Sequence, residues 1–401
     1  MKYQCKNCGT SLGYDGLCWR CRAMKERQEV LAWTDEEIQE KLRHLAANAD
    51  KLDDYRASEY ATLCQLMEIR GICPPQLQRA ALEAGAFSLA HLYYHAPADV
   101  RDGLILRLME TQSPHEAACL MECLAMQGDD RALEILLELE RHPRPWRQQL
   151  YVDPSVYAQC GGWTFDGEGN RLQINFDTSY ALVKEEAGAL SSTSHFPHIL
   201  SAGVSASDPS SAGATPENSP AGHSYSPVKI GRIRQDRCPH CGCSMADMLI
   251  LDGRDERLEF LGIDGIFTAS CCPNCVGFSE TSFSRYTLDG GSEPLYSELE
   301  ISDVEDYLGR NGIEELSSNS YVLDNHPVPI FLGAGSEDLN IIGGFANWIQ
   351  DWQYAVCPDC GRPMRYLAQI QWDTVLENME GTLYIEFCPD CRVAAMIHQQ
   401  T

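Results

Sequence analysis

At 401 residues the chain is longer than one hydrophobic core organises, so two or three domains are expected. A hydrophobic fraction of 44% excludes disorder of the whole chain, no apolar run is long enough to cross a bilayer, and the start Met1-Lys2-Tyr3-Gln4-Cys5 lacks the apolar stretch of a secretory signal; a cytoplasmic protein is expected. The formal charge of −27 disfavours binding to phosphate backbones and favours a basic protein partner.

Most of the nineteen cysteines fall into C-x-x-C pairs, which in a chain without an export signal reads as metal ligation rather than disulfide bonding. The first set, within a small Cys-rich unit at 1–25, is Cys5-x2-Cys8-x9-Cys18-x2-Cys21. Four thiolates at these spacings can close a tetrahedron around zinc, and Gly9 follows the first pair where the chain must turn sharply. A unit this small has almost no core, so zinc would supply its folding free energy, on the order of 10 kcal/mol. A redox-active C-x-x-C is the rival reading; it lacks the surrounding βαβ pattern.

Residues 26–150 read as an α-helical bundle or short helical-repeat domain. Thr34-Asp35-Glu36-Glu37 and Ser113-Pro114-His115-Glu116 have the form of capping boxes. The helix begun at Ser113 is predicted to run to Gln127, stop at Gly128 and restart at Asp129, giving an antiparallel pair that resembles one HEAT-type unit. No fixed period spans the region. After Pro143-Arg144-Pro145 the period changes: Trp163-Thr164-Phe165, a turn-rich Asp166–Asn170, and Leu172, Ile174 and Phe176 at alternate positions predict a β-hairpin segment over 151–186. Residues 187–227 are dominated by Ser, Ala, Gly and Pro and read as a flexible linker.

The region 228–401 contains an internal repeat. Cys238-Pro239-His240-Cys241-Gly242 with Met245 matches Cys357-Pro358-Asp359-Cys360-Gly361 with Met364, and the stretch leading to Cys272-Pro273-Asn274-Cys275 matches that leading to Cys388-Pro389-Asp390-Cys391. Each copy reads as a zinc ribbon, so the fold class is multi-domain α+β: an N-terminal zinc ribbon, a helical bundle and a β-rich domain of two duplicated halves. Cys243 falls opposite Arg362 and Cys271 opposite Phe387, so neither position requires sulfur. That assigns Cys238, Cys241, Cys272 and Cys275 to a second zinc and Cys357, Cys360, Cys388 and Cys391 to a third, ahead of cross-pairing between the copies, which would tie two distant segments together. The halves are expected to pack together, with Met364–Ile370 and Thr382–Phe387 as buried strands.

Gly343-Gly344-Phe345-Ala346-Asn347-Trp348-Ile349-Gln350, followed by Cys357-Pro-x-Cys360-Gly-x-x-Met364 and Tyr366-Leu367-Ala368-Gln369-Ile370, resembles the signature of YwqG-like bacterial proteins and the eukaryotic programmed cell death protein 2 family. The resemblance covers about 170 residues at most and is sharpest over 341–391; Ala346 stands where the family usually has proline. It implies a non-enzymatic, β-rich domain that holds polypeptides. Eukaryotic members chaperone a ribosomal protein, and YwqG-like domains recur among immunity proteins of bacterial toxin systems.

Trp348, beside paired glycines, reads as a packing residue ahead of a partner-binding one. Cys119 and Cys123 could form half a metal site, but no second pair lies nearby; they, with Cys64, Cys73 and Cys160, read as small core residues. The acidic stretch Glu293, Glu298, Glu300, Asp303, Glu305, Asp306, Glu314 and Glu315 reads first as solvated surface and second as a landing site for a basic partner. Residues 229–401 hold 11 Lys plus Arg against 27 Asp plus Glu, so the acidity belongs to the whole domain. There is no H-E-x-x-H, G-x-S-x-G or G-x-x-x-x-G-K-[ST] motif, and four sulfurs leave a zinc ion no open position for water. The leading expectation is therefore an immunity protein that neutralises a basic toxin by direct binding. A chaperone for a ribosomal protein comes second. A nucleic-acid-binding ribbon comes third, resting on Lys2, Lys6, Arg20, Arg22, Lys25 and Arg27 around the first cysteine set.

Overall fold

The computed structural model describes residues 3–184, 226–296, 299, 303–331, 340–376 and 379–400. The Ser/Ala/Gly/Pro-rich stretch expected over 187–227 lies outside the described residues except at 226 and 227, and so do Glu298 and Glu300 of the acidic stretch. The class is α+β, and among the described residues no helix is long and apolar enough to cross a membrane.

The N-terminal unit has two short strands, β1 (Tyr3–Gln4) and β2 (Ser11–Leu12), and leads into α1 (Trp19–Leu31). Leu12, Leu17 and Met24 are the apolar side chains packed on its buried sulfurs. Then come α2 (Asp35–Ala47), α3 (Ser58–Cys64), a π-helical turn at Gln65–Ile69, α4 (Pro75–Ala84), α5 (Ala98–Glu110), α6 (Pro114–Gln127), α7 (Asp130–Arg141) and α8 (Pro154–Cys160). Leu45, Leu63, Tyr93, Leu104, Leu120 and Leu136 are fully buried in one shared core. Helix lengths run from seven to fourteen residues with irregular turns between them, so the domain has no uniform repeat unit.

Thr34 forms a reciprocal cap: its hydroxyl accepts the Glu37 N–H while the Glu37 carboxylate accepts the Thr34 N–H. Ser113 forms half of one. Its hydroxyl accepts the Glu116 N–H, but the Glu116 carboxylate turns to the Thr111 hydroxyl, a nearer donor. Gly128 ends α6 at φ +70°, and Asp129 caps α7 through the Ala132 N–H.

The 151–186 segment does not stand alone as a hairpin. It opens with α8, whose start at Asp153-Pro154 is a helix signal that the hairpin reading passed over. The hairpin proper is β3 (Trp163–Phe165) paired with β4 (Arg171–Gln173), and it is fastened to the helical core: the Trp163 indole N–H donates to the Ala125 carbonyl at 2.8 Å, and Arg171 stacks on Trp163 at 4.3 Å. The third strand, β5 (Ser179–Lys184), crosses into the C-terminal domain.

That domain contains β6 (Val228–Arg237), β7 (Ser244–Asp252), β8 (Ile266–Cys271), β9 (Ser282–Tyr286), β10 (Ser292–Leu295), α9 (Gly309–Ser318), β11 (Tyr321–Pro327), β12 (Ile341–Gly343), β13 (Arg365–Gln371), the short α10 (Trp372–Val375), β14 (Thr382–Cys388) and β15 (Val393–Gln399). Strands β6-β7-β8 form one sheet, and β10-β9-β15-β14-β13-β12-β5-β11 form another. The two bury a common core, in which Leu249, Leu251 and Phe267 of the smaller sheet meet Leu367, Ile385, Phe387 and Met396 of the larger.

The repeat is visible in the backbone. With Met245 set on Met364, the register of β7 on β8 shifts between Asp247 and Leu249, and that of β13 on β14 shifts between Tyr366 and Ala368, the same position in each copy. It also extends further upstream than the cysteine spacing reveals. Ile230 pairs with Leu249 and Ile342 with Ala368, which makes Ile230-Gly231 the counterpart of Ile342-Gly343. Both glycines have positive φ, +80° and +75°. The copies differ in their third strand: β15 pairs with β14 of its own copy, whereas β9 leaves β8 and pairs with β15, tying the halves together.

Candidate metal centres

Each centre begins with a knuckle of one geometry. The N–H of the first cysteine donates to the carbonyl five residues on (Cys5 to Thr10, Cys238 to Cys243, Cys357 to Arg362), and the glycine after the second cysteine donates back to the first cysteine's carbonyl. Gly9, Gly242 and Gly361 all sit in left-handed backbone, at φ +77°, +74° and +68°. A side chain is strained in that region, which is why C-x-x-C-G is the local signal that a knuckle will form. The second pair comes from α1 in the first centre, where the Cys18 sulfur caps the helix by accepting the Cys21 N–H, and from the ends of β8 and β14 in the others.

The sulfurs converge as the spacing implies. Cys5, Cys8, Cys18 and Cys21 form one group, Cys238, Cys241, Cys272 and Cys275 a second, and Cys357, Cys360, Cys388 and Cys391 a third, with all sulfurs of a group within 4.8 Å of one another. Measured separations are 3.5 Å for Cys8–Cys18, 3.7 Å for Cys238–Cys275, 3.6 Å for Cys241–Cys272 and 3.8 Å for Cys360–Cys388. A tetrahedron with metal–sulfur bonds of about 2.3 Å has edges of about 3.8 Å, so the groups fit a bound ion. All nineteen cysteines are free thiols, which excludes disulfides as the reason for this convergence.

The protein environment favours the thiolate at some of these sulfurs and opposes it at others, where neighbouring sulfurs and burial push Cys21, Cys238, Cys272, Cys275, Cys388 and Cys391 up. Backbone N–H groups, that of Cys8 foremost, pull the Cys5 thiol down to about 5, and the Arg362 backbone and guanidinium pull Cys360 down to about 6. Cys243 and Cys271 are fully buried but belong to none of the three groups. Cys123 is fully buried and donates to the Phe87 carbonyl, and Cys73 donates to the Leu92 carbonyl at 2.9 Å. Both, with Cys64, Cys119 and Cys160, also lie outside the groups.

Copy two differs from copy one in the approach to its first knuckle: seven residues run from Gly231 to Cys238, fourteen from Gly343 to Cys357. The longer loop covers the face of the large sheet opposite the shared core, where Tyr366, Tyr384, Ala395 and Ile397 meet Ala346, Trp348, Tyr354 and Ala355. Four buried polar side chains from β13, β14 and β15 hold it. Gln369 accepts the Asn347 N–H, the Tyr384 hydroxyl accepts the Ile349 N–H, Gln399 accepts the Gln350 N–H, and Glu386 accepts the Ala355 N–H, at 2.8 to 3.0 Å. Burial pushes the Glu386 carboxyl well above the ordinary range, and the Ala355 N–H it accepts pulls the other way. Trp348 lies tilted over Tyr384, ring centroids 4.3 Å apart, and meets Tyr354 edge-on, the packing role expected of it. None of this clamp was legible in advance, because Gln369 and Glu386 look like interruptions in apolar strands until the loop they serve is seen.

The basic residues around the first centre are largely engaged. Lys6 pairs with Asp15 at 3.0 Å and Lys25 with Glu29 at 3.6 Å, Arg22 donates to the Tyr14 hydroxyl, and Arg20 reaches across to Asp373 of α10 at 2.9 Å. Arg20 thereby joins the N-terminal unit to the C-terminal domain.

The chain is 26% identical over 319 residues to an uncharacterized protein, YpfL, of Salmonella typhimurium strain LT2, an alignment covering 77% of this chain. The chain spans 64% of that relative's length. No family model matches, and no solved structure matches.

Proposed function

We propose that this chain is a zinc-stabilised, non-enzymatic protein-binding protein, and that it acts as an immunity protein that neutralises a basic toxin by direct binding. The observation that carries the reading is the closed character of the three centres. Each offers four converging sulfurs on rigid knuckles, an arrangement that suits zinc as a staple and leaves the ion no position for substrate or water. Tetrahedral thiolate sites accept iron as well, and zinc is the assignment proposed here for its preference for closed structural sites.

The net charge of −27 supports a basic partner, which electrostatic steering would bring in rapidly. The resemblance of 341–391 to YwqG-like domains supports a polypeptide-holding role, and the buried clamp gives that segment a fixed shape suited to recognition. Pairing of Lys6, Arg20 and Lys25 with carboxylates weakens the case for a nucleic-acid-binding ribbon.

Affinity purification of the full chain from its native host, followed by mass spectrometry, tests the proposal. We expect one basic protein in stoichiometric amount, with an association rate that falls steeply as salt rises. Recovery of a ribosomal protein alone would shift the reading to a chaperone, and a salt-independent rate would remove the electrostatic capture step.

A further inference from the structure

A cleft of ≈ 290 Å³ separates the helical domain from the clamped 345–354 loop. Ligand pockets run from roughly 300 to 1,000 Å³, so this one suits a single long side chain rather than a helix. Its charge is one-sided. Glu122 of α6 lines it from the helical side and Asp351 from the loop, and no Lys or Arg lines it at all. Among the described residues neither carboxylate has an ion-pair partner. Burial, with the Asp351 charge second, pushes the Glu122 carboxyl up to about 7, so the two acids are near enough to repel. His91, also in the lining, is pushed down to about 4 by burial and supplies no compensating charge.

Around the acids stand aromatic rings in fixed positions. Trp348 is held on Tyr384, Tyr354 donates its hydroxyl to Asn175 at 2.8 Å, and the Trp352 indole N–H donates to the Val156 carbonyl at 3.2 Å. A cleft that combines carboxylates with tryptophan and tyrosine rings in its lining offers the two means by which an organic cation is recognised, ion pairing and attraction to the ring quadrupole. The wall carrying Asp351, Trp348 and Trp352 is the loop by which copy two exceeds copy one, and buried polar side chains are committed to holding it. That is how a preformed site is built, with rigid support behind the groups that make contact.

We propose that this cleft receives the guanidinium or ammonium group of one side chain of a polypeptide partner, held between Glu122 and Asp351 and flanked by Trp348 and Trp352. The inference deepens the protein-binding reading and rests on it for the source of the cation. The acid pair selects positive charge, the rings select a flat or alkylated cation over a hydrated metal ion, and the volume limits the site to one side chain.

The test uses the full metal-loaded chain and follows its tryptophan fluorescence. The probes are an end-blocked peptide of four Gly-Arg repeats, the same peptide with citrulline for arginine, and free arginine amide. We expect the arginine peptide to bind saturably and the citrulline peptide about tenfold more weakly or not at all, since citrulline keeps the shape and loses the charge. Glu122→Gln and Asp351→Asn should each weaken the arginine peptide about tenfold, while Glu314→Gln, at an exposed position of α9, leaves it unchanged. Far-ultraviolet circular dichroism confirms that each variant is folded. Equal binding of the citrulline peptide, or an equal loss in Glu314→Gln, overturns the site. Free arginine amide binding as tightly as the peptide overturns the polypeptide source and indicates a small-molecule cation. Capture of a basic protein equally by wild type and Glu122→Gln sinks this inference alone. A site that passes the peptide tests in a chain that captures no protein sinks the broader reading instead.

Discussion

Glu122 is a carboxyl that carries its charge reluctantly. Its folded-state pKa of about 7 lies above the ordinary 4.5, so the folded protein holds a proton that the unfolded chain gives up. The unfolded state therefore binds fewer protons between those values, and stability must fall as pH rises from about 4.5 through 7 and level off above it. With partial solvent screening allowed for, the loss is about 2 kcal/mol. Glu122→Gln keeps the shape and removes the titration. Urea midpoints of wild type and variant should coincide near pH 5 and separate by pH 8, with the variant more stable; parallel curves would show that burial does not penalise this carboxylate. Nothing in the sequence around Glu122 gives this away. The residue sits on a helix between Cys119 and Cys123; its shift comes first from burial in the folded chain and second from the charge of Asp351, more than two hundred residues further on.

Among the secondary-structure elements, the legible features were those whose cause is local. The knuckles could be read because two cysteines and a left-handed glycine lie within five residues, and the α6–Gly128–α7 turn because cap, stop and restart are consecutive. The destination of β5 was not legible, since Leu182 enters the C-terminal core beside β11 and β12, well over a hundred residues away. The Ile-Gly pair escaped because the spacing from it to the cysteines doubles between copies. Those two glycines are now the sharpest check on the duplication. A Cβ at Gly231 would overlap the Leu316 carbonyl, and one at Gly343 would overlap the Thr178 carbonyl, with positive φ at both. Gly231→Ala and Gly343→Ala should each cost about 2 kcal/mol or more in urea melts. Gly242, equally left-handed but with open space around its Cβ position, should tolerate alanine at about 1 kcal/mol. A reversed order would mean that the backbone approach at β6 and β12 is not what fixes the two strands.

Across the whole molecule, the three centres differ in what surrounds them, and that difference sets the order in which they fail. The first has an exposed ligand, Cys8, and little apolar cover, so its folding free energy would have to come almost wholly from a bound ion. The third also has an exposed ligand, Cys360, but its knuckles close the end of the large sheet, whose apolar core should persist without the ion. The second has no exposed sulfur, and Val304 and Ile313 pack over it. Elemental analysis should find three zinc ions per chain. Under a chelator with a coloured zinc complex, release should come in stages, the first centre leading and the second last. Loss of the first ion should unfold the N-terminal unit and free Arg20 from Asp373 while the helical core keeps its circular dichroism signal, because that core is built from leucines that touch no metal centre. Cys8→Ser should reproduce this first stage alone, lowering the zinc count by one without moving the main thermal transition. Simultaneous release of all three ions with global unfolding would mean instead that the N-terminal staple and the duplicated domain form one cooperative unit, joined more strongly than a half-exposed Arg20–Asp373 pair can account for.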